Sequence, residues 1–396
     1  MHTVCMASTR WTIHQRPPRK IKWREGDASS VSADGKESQL YDQRTAKHGG
    51  NSGPFPEHPH SPTIYHCVNR VVDKRFIFGS REKDRFVELM RMYERFSGNR
   101  ILAFCVMSNH FHLMIEITPM PKNGLSDKEL LNRLAAIYDE ATVEAVEMEL
   151  KEARDAIAAG RNAEGRIAQI HGRYTYRMHD LSEFMKSVVQ RFTQWYNRRS
   201  ERKGNLWEDA FRSTVVEAGV AARIVATYID LNPVRAGIVD DPANYPWCSY
   251  GEAVSGSGSR KKPTPANLRA RSGLVRAFFA HEGIEADSKR WVDCHNIERH
   301  WIEQAIQKLH AHRRGRSLTP SEQDSPGGAL SGRIRHFTDG VAIGEREFLE
   351  TFFKENRERF GKKRTSGPRA IRGTAAGISR KEGICSIRDL MKDVES

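Results

Sequence analysis

The side chains best placed to do chemistry are two histidines flanking one phenylalanine, in Ser108-Asn109-His110-Phe111-His112-Leu113-Met114-Ile115-Glu116. Imidazole is a metal ligand and, near neutral pH, an acid and a base. The residues around the pair read as two strands. Ile101 to Met107 is continuously apolar, Ser108-Asn109 suits a tight turn, and Phe111 to Ile117 is apolar again. Strand side chains alternate faces, so His110 and His112 share one face while Phe111 enters the opposite layer. Two imidazoles one pleat apart can hold a single divalent ion. Two ligands alone make a weak site, and a third has to come from elsewhere in the chain. The same pair could instead be satisfied by hydrogen bonds on a half-buried strand.

A second set of residues lies about a hundred positions further on. The stretch from Gly219 to Asn232 has the alanines and apolar spacing of a helix, and Pro233 ends it near Asn232, because the residue before proline avoids helical geometry. Tyr228 and Asn232 are one turn apart, so a phenol and an amide project from the same face and could look across the sheet at the histidines. Taken alone, Tyr228 fits equally well as an amphipathic core residue.

The elements that must position these side chains can be read in order. Residues 1–60 have too little periodic apolar content to order themselves and read as a disordered basic tail. Thr63 to Arg70 is rich in strand formers, and Phe86, Leu89, Met90, Tyr93 and Phe96 follow at helical spacing. The opening order is therefore strand, helix, strand, strand. Ser126 with Glu129 is a capping signature that opens a charged helical insertion over about 126–171, interrupted near Gly160 and read as a solvated arm. Asp180 caps a one-faced helix carrying Phe184, Met185, Val188, Val189, Phe192, Trp195 and Tyr196. Its polar side holds Arg191, Arg198 and Arg199 and leads to Lys203, a pattern that suits a nucleic-acid backbone as well as a plain solvated surface. A further strand is expected around Thr214 to Val216. A first domain over 61–253 then gives way to a linker over 254–266 and a mainly helical region over 267–396 that ends in a basic run.

Composition narrows the function classes. The 396 residues carry 64 Lys and Arg against 50 Asp and Glu, a net charge of +14 that favours a polyanionic partner. Six cysteines lie scattered with no Cys-x-x-Cys pair, which argues against a zinc ribbon or a disulfide framework and fits a reducing compartment. No apolar run approaches the roughly 20 residues needed to span a bilayer, and the N-terminal residues lack the apolar core of a secretory leader. A cytoplasmic, nucleoid-associated protein with no membrane partner is expected. The basic C-terminal run lacks the glycine spacing of a phosphate loop, so no nucleotide cofactor is expected.

The order Ser108-Asn109-His110-Phe111-His112, then Gly204-Asn205-Leu206-Trp207-Glu208-Asp209-Ala210-Phe211-Arg212-Ser213, then Tyr228-Ile229-Asp230-Leu231-Asn232-Pro233-Val234-Arg235-Ala236-Gly237 resembles the single-tyrosine HUH transposases of the IS200-like kind, in their REP-associated branch. The resemblance covers roughly Pro62 to Tyr250. It implies an α/β fold: a ferredoxin-like antiparallel sheet with helices on one side, to which the helical insertion and the helical C-terminal region are added. It also implies roles. His110 and His112 would be metal ligands, Asn232 the third ligand, and Tyr228 the nucleophile that forms a 5′-phosphotyrosine on single-stranded or hairpin DNA. The ion would be Mg²⁺ or, given imidazole ligands, Mn²⁺. Arg191, Arg198, Arg199, Lys203, Arg212 and Arg235 are the expected DNA contacts, with Trp195 and Trp207 available for base stacking. Relatives of this class act as dimers or as monomers, which leaves a homodimer open. Two other readings compete: a DNA-binding regulator that keeps the fold without cleaving, and a metal hydrolase using the two histidines and a water.

Overall fold

The computed structural model describes residues 62–256, 262–279, 290–316, 319, 330, 331, 334–357, 360–365, 367–371 and 384–388. The expected tail and most of the centre of the expected linker lie outside these residues. The first half is a strand-helix-strand-strand-helix-strand unit. It is built from β1 (Thr63–Arg70), α1 (Ser80–Ser97), β2 (Arg100–Val106), β3 (His110–Ile117), α5 (Leu181–Arg199) and β4 (Arg212–Val216). The strands lie in the order β2-β3-β1-β4, with every neighbouring pair antiparallel. This is the ferredoxin-like arrangement, and α1 and α5 pack together on one side of the sheet.

Each helix has a local reason to form. The apolar stripe of α1 (Phe86, Leu89, Met90, Tyr93, Phe96) is buried, and Gly98 at φ 73° ends it in left-handed backbone. At the start of α5 the Asp180 carboxylate accepts the Glu183 N–H at 2.8 Å. Between β3 and α5 lies the insertion, made of α2 (Asp127–Leu134), α3 (Glu140–Ala158) and α4 (Glu164–Thr175). Ser126 and Glu129 form the anticipated reciprocal cap, and Gly160 breaks the chain at φ 75°. The solvated-arm reading is corrected here. Leu130, Leu134, Val146, Leu150 and Ile170 are fully buried in the cluster that holds α1 and α5. A narrow stripe of aliphatic residues in a charged helix suffices to dock it.

The sheet's second face is covered by later residues. α6 (Val220–Asp230) crosses it, started by Gly219 at φ 99° and ψ −129°, a conformation open to glycine and strained for any other residue. α7 (Asn232–Arg235) follows directly, with Pro233 in its first turn. Beyond α8 (Ser249–Val254), helix α9 (Pro265–Phe279) lies so close to β2 that a Cβ on Gly273 would sit 2.4 Å from the Ile101 carbonyl oxygen. Arg276 of α9 reaches the buried Glu116 carboxylate of β3 at 2.9 Å. After α10 (Trp291–Arg313) and α11 (His336–Asp339), strand β5 (Ala342–Gly344) adds to β4 in parallel. Past α12 (Arg346–Glu355), β6 (Arg369–Ala370) and β7 (Cys385–Ile387) complete a seven-stranded sheet.

The division into two domains at 254–266 therefore does not match the packing. α9 and α10 share one hydrophobic cluster with α6 and the sheet, and β5 to β7 are part of that sheet. Strands of two or three residues are too short for alternation to betray them, which is why that region read as helical. Arg357 and Arg364 of the basic run are turned inward. Arg357 donates to the Lys362 and Arg364 carbonyls at 3.0 and 2.9 Å, and Arg364 donates to the Gly367 and Arg388 carbonyls.

One buried pair ties α6 to α10. Asp230 accepts the Tyr250 backbone N–H at 3.0 Å, but its second oxygen and both oxygens of the fully buried Glu298 find no protein donor. The two carboxyls must share a proton, and burial pushes both up, Asp230 to about 7. Unfolded carboxyls release that proton near pH 4, so the native state loses stability as pH rises from about 4 through about 7. Glu298→Gln removes the need for the proton. Its stability relative to the parent is expected to rise by about 1 kcal/mol or more across that window, read from denaturant midpoints at a series of pH values. Gly273→Ala is expected to destabilise at every pH by about 1–3 kcal/mol, because backbone has to move.

Candidate active site

The β1–β3 register sets the face on which the histidines sit. His112 lies opposite Val68 and His110 opposite Arg70, so both side chains emerge beneath α6, while Phe111 packs against Phe86 and Trp207 in the other layer. The two imidazoles are 5.1 Å apart, edge to face. The Tyr228 ring, delivered by the last turn of α6, stands 6.4 Å from the His112 ring, again edge to face. The structure thus brings together residues from two distant parts of the sequence.

A third histidine belongs to the site. His66 on β1 stacks on His112 with centroids 5.2 Å apart. Its Nδ1 lies 2.7 Å from the Phe337 carbonyl oxygen, which can only accept, so Nδ1 carries the proton. His66 Nε2 is then an acceptor, and the 3.0 Å bond to His112 runs from His112 Nδ1–H. That leaves the lone pair of His112 on Nε2. A parallel argument fixes His110. The Asn109 amide nitrogen donates to the Lys74 carbonyl at 2.9 Å, so the Asn109 oxygen faces His110 Nδ1 at 2.7 Å and receives its proton. Both histidines hence carry their lone pair on Nε2. Burial drives His66 down to about 4 and His112 well below its ordinary value, the latter also opposed by His110, His66, Arg235 and Arg70, so neither is charged near neutrality.

Asn232 begins α7 and turns its amide nitrogen onto the Ile229 and Tyr228 carbonyls at 3.0 and 3.4 Å, which leaves its side-chain oxygen as the group able to accept. Among the described residues, no group of three or more His, Cys, Asp and Glu side chains could hold a metal ion. An ion here would need an amide, water or phosphate oxygen beside two imidazoles, and the His110, His112 and Asn232 set is of that kind.

The expected DNA contacts divide. Strand directions put the C-terminal end of β1, the N-terminal ends of β3 and β4, the start of α1 and the end of α5 at one end of the sheet, the end that carries His110. Arg198, Arg199, Lys203 and Arg212 are exposed there, although Arg199 pairs with Glu82 at 2.6 Å and Arg212 with Asp339 at 3.0 Å. Arg191 lies mid-helix on the far layer, 3.3 Å from the Tyr93 hydroxyl. Arg235 is corrected outright. Its guanidinium lies over the Tyr228 ring at 3.9 Å and donates to the Tyr228 and Leu330 carbonyls at 2.7 and 3.1 Å, facing inward. Trp207 is likewise a core residue, its indole N–H bound to Thr193 at 2.8 Å, and Trp195 packs on Phe192.

Sequence reasoning missed His66 and Phe337. His66 could have been found from the pleat, since it falls on the same face as His112 once β1 and β3 are paired. Phe337 had no local signal. It meets Tyr228 edge-on at 4.8 Å, and Tyr228 is only 2% exposed as a result. Among the described residues no helix is long and apolar enough to cross a membrane.

Residues 60–152 match the family model described as transposase IS200 like. Comparison with curated proteins found no match. Among solved structures, a REP-associated tyrosine transposase bound to a REP hairpin is similar at 13% identity and a TM-score of 0.31, over 55% of this chain and 90% of that one. The family match runs from the start of β1 into α3 and contains His66, His110 and His112, so this part of the chain is similar to IS200-like transposases.

Proposed function

We propose that the chain is a single-tyrosine transposase that nicks and rejoins single-stranded or hairpin DNA, of the REP-associated kind that its motif order resembles. The observation that carries this reading is the meeting of Tyr228 with His112, beside His110, on one face of the sheet. A phenol beside two imidazoles whose Nδ1 atoms are both hydrogen-bonded is a set suited to phosphoryl transfer. A divalent ion such as Mn²⁺ or Mg²⁺, held by His110 Nε2, His112 Nε2 and the Asn232 oxygen, would polarise and orient the scissile phosphate.

The chain's own residues account for the rest. The Tyr228 oxygen attacks phosphorus and gives up its proton; the bond to the 3′ oxygen breaks, and that oxygen leaves as a 3′ hydroxyl after taking up a proton. The phosphodiester energy is kept in the phosphotyrosine, so attack by a 3′ hydroxyl on the same phosphorus reverses the step and joins strands. Arg235 favours the developing phenolate from above the ring and locks the last turn of α6. His66 keeps His112 in the tautomer that presents Nε2.

One observation favours the non-cleaving regulator. Tyr228 is buried beneath Phe337, so a strand reaches it only if that contact opens. A cleavage assay on labelled hairpins from the DNA flanking the gene, with Mn²⁺, Mg²⁺ or EDTA, separates the readings. A metal-dependent covalent adduct lost in Tyr228→Phe is expected. Tight binding without an adduct under any metal would establish the regulator, and undiminished cleavage by Tyr228→Phe would establish a hydrolase. His66→Ala is expected to weaken Mn²⁺ binding about 10- to 100-fold by calorimetry. In His66→Gln a carboxamide oxygen can still accept from His112, and much of the affinity should return.

A further inference from the structure

The segment joining β1 to α1 has an unusual construction. It is pinned at both ends. Val71 is buried and its N–H donates to the Asn109 carbonyl at 2.9 Å; Phe78 is buried against Phe192 and Phe86, and its N–H donates to the Ser108 carbonyl at 3.0 Å. Between these anchors Asp73 and Lys74 both take left-handed backbone, at φ 56° and 55°, which costs free energy for any residue other than glycine. The strained stretch is bonded to the site: the Asn109 side chain that orients His110 donates to the Lys74 carbonyl. Within it stands Phe76, 82% exposed, preceded by the exposed Lys74 and Arg75.

A single exposed phenylalanine needs no explanation by itself. This one lies just beyond two left-handed residues, between two hydrogen bonds that both end within two residues of His110. The charges around it are those of a polyanion site. Arg70 faces His110 across the strand pair, and Arg198, Arg199 and Lys203 lie at the same end of the sheet. An open aromatic face beside phosphate-pairing cations fits an unpaired base, whereas a base inside a duplex has its own faces covered.

We propose that Phe76 is the stacking platform for one unpaired nucleobase of the strand that crosses the Tyr228 site, with Lys74 and Arg75 pairing with the neighbouring phosphates. The inference rests on single-stranded DNA being the substrate. It gives the loop a purpose that the two tryptophans, committed to the core, do not serve.

The test uses the full chain in EDTA, so that nicking plays no part. Hairpin oligonucleotides with single-stranded flanks carry 2-aminopurine at one flank position at a time. The parent is expected to quench one position, and Phe76→Ala to restore its fluorescence and weaken binding about 5- to 100-fold, with Phe76→Trp close to the parent. The salt dependence of binding should be unchanged in Phe76→Ala and shallower in Lys74→Ala. Because the ring is exposed, Phe76→Ala should melt with the parent. Equal affinity and equal quenching in Phe76→Ala would overturn the platform while leaving the nicking assay, and the transposase reading, intact. Failure of the parent to bind any single-stranded flank would overturn both.

Discussion

Burying an imidazole is unfavourable unless its N–H finds an acceptor, and the histidine-bearing face of this sheet is arranged around that constraint. The Phe337 carbonyl holds the His66 proton, His66 receives the His112 proton, and His112 is left with its lone pair on Nε2. The chain of bonds starts at a backbone group, whose polarity is fixed, so every proton along it is fixed too. His110 obtains the same result from Asn109, whose amide is oriented by the Lys74 carbonyl. Two backbone carbonyls thereby decide which nitrogens two side chains present.

The first of those carbonyls belongs to a part of the chain outside the matched family region and the motifs. Residues after the nominal linker supply α9 against β2, Arg276 on the buried Glu116, three strands added beyond β4 and the Phe337 contact on Tyr228. A ferredoxin-like sheet with helices on one side leaves its other face open. Here α6 alone is too short to cover it, and the C-terminal helices bury what remains. The extra region is thus half of the hydrophobic sandwich, and its loss would expose the apolar residues of β2 and β3.

Charge is distributed with a similar economy. The net charge of +14 spreads over the molecule, yet many of the arginines are engaged in holding it together. Arg235, Arg276, Arg357 and Arg364 face carbonyls or carboxylates inside the fold. Arg198, Arg199, Lys203 and Arg212 remain exposed at the end of the sheet where His110 emerges.

The sequence by itself determined the local structure and the face on which each half of the site lies. Alternation along His110-Phe111-His112, the stripes of α1 and α5, the caps at Ser126 and Asp180, and Pro233 after Asn232 are all short-range, and each element forms where its pattern stands. Family resemblance then named Tyr228 and the histidines together. Tertiary structure alone decided that His66 joins His112, that Arg235 turns inward onto Tyr228, that the insertion docks, and that Phe337 closes over Tyr228. Those outcomes depend on strand register and on which surfaces meet. A residue's own neighbours in sequence carry the propensity for helix or strand but not the identity of the group that will satisfy a buried nitrogen 271 positions away.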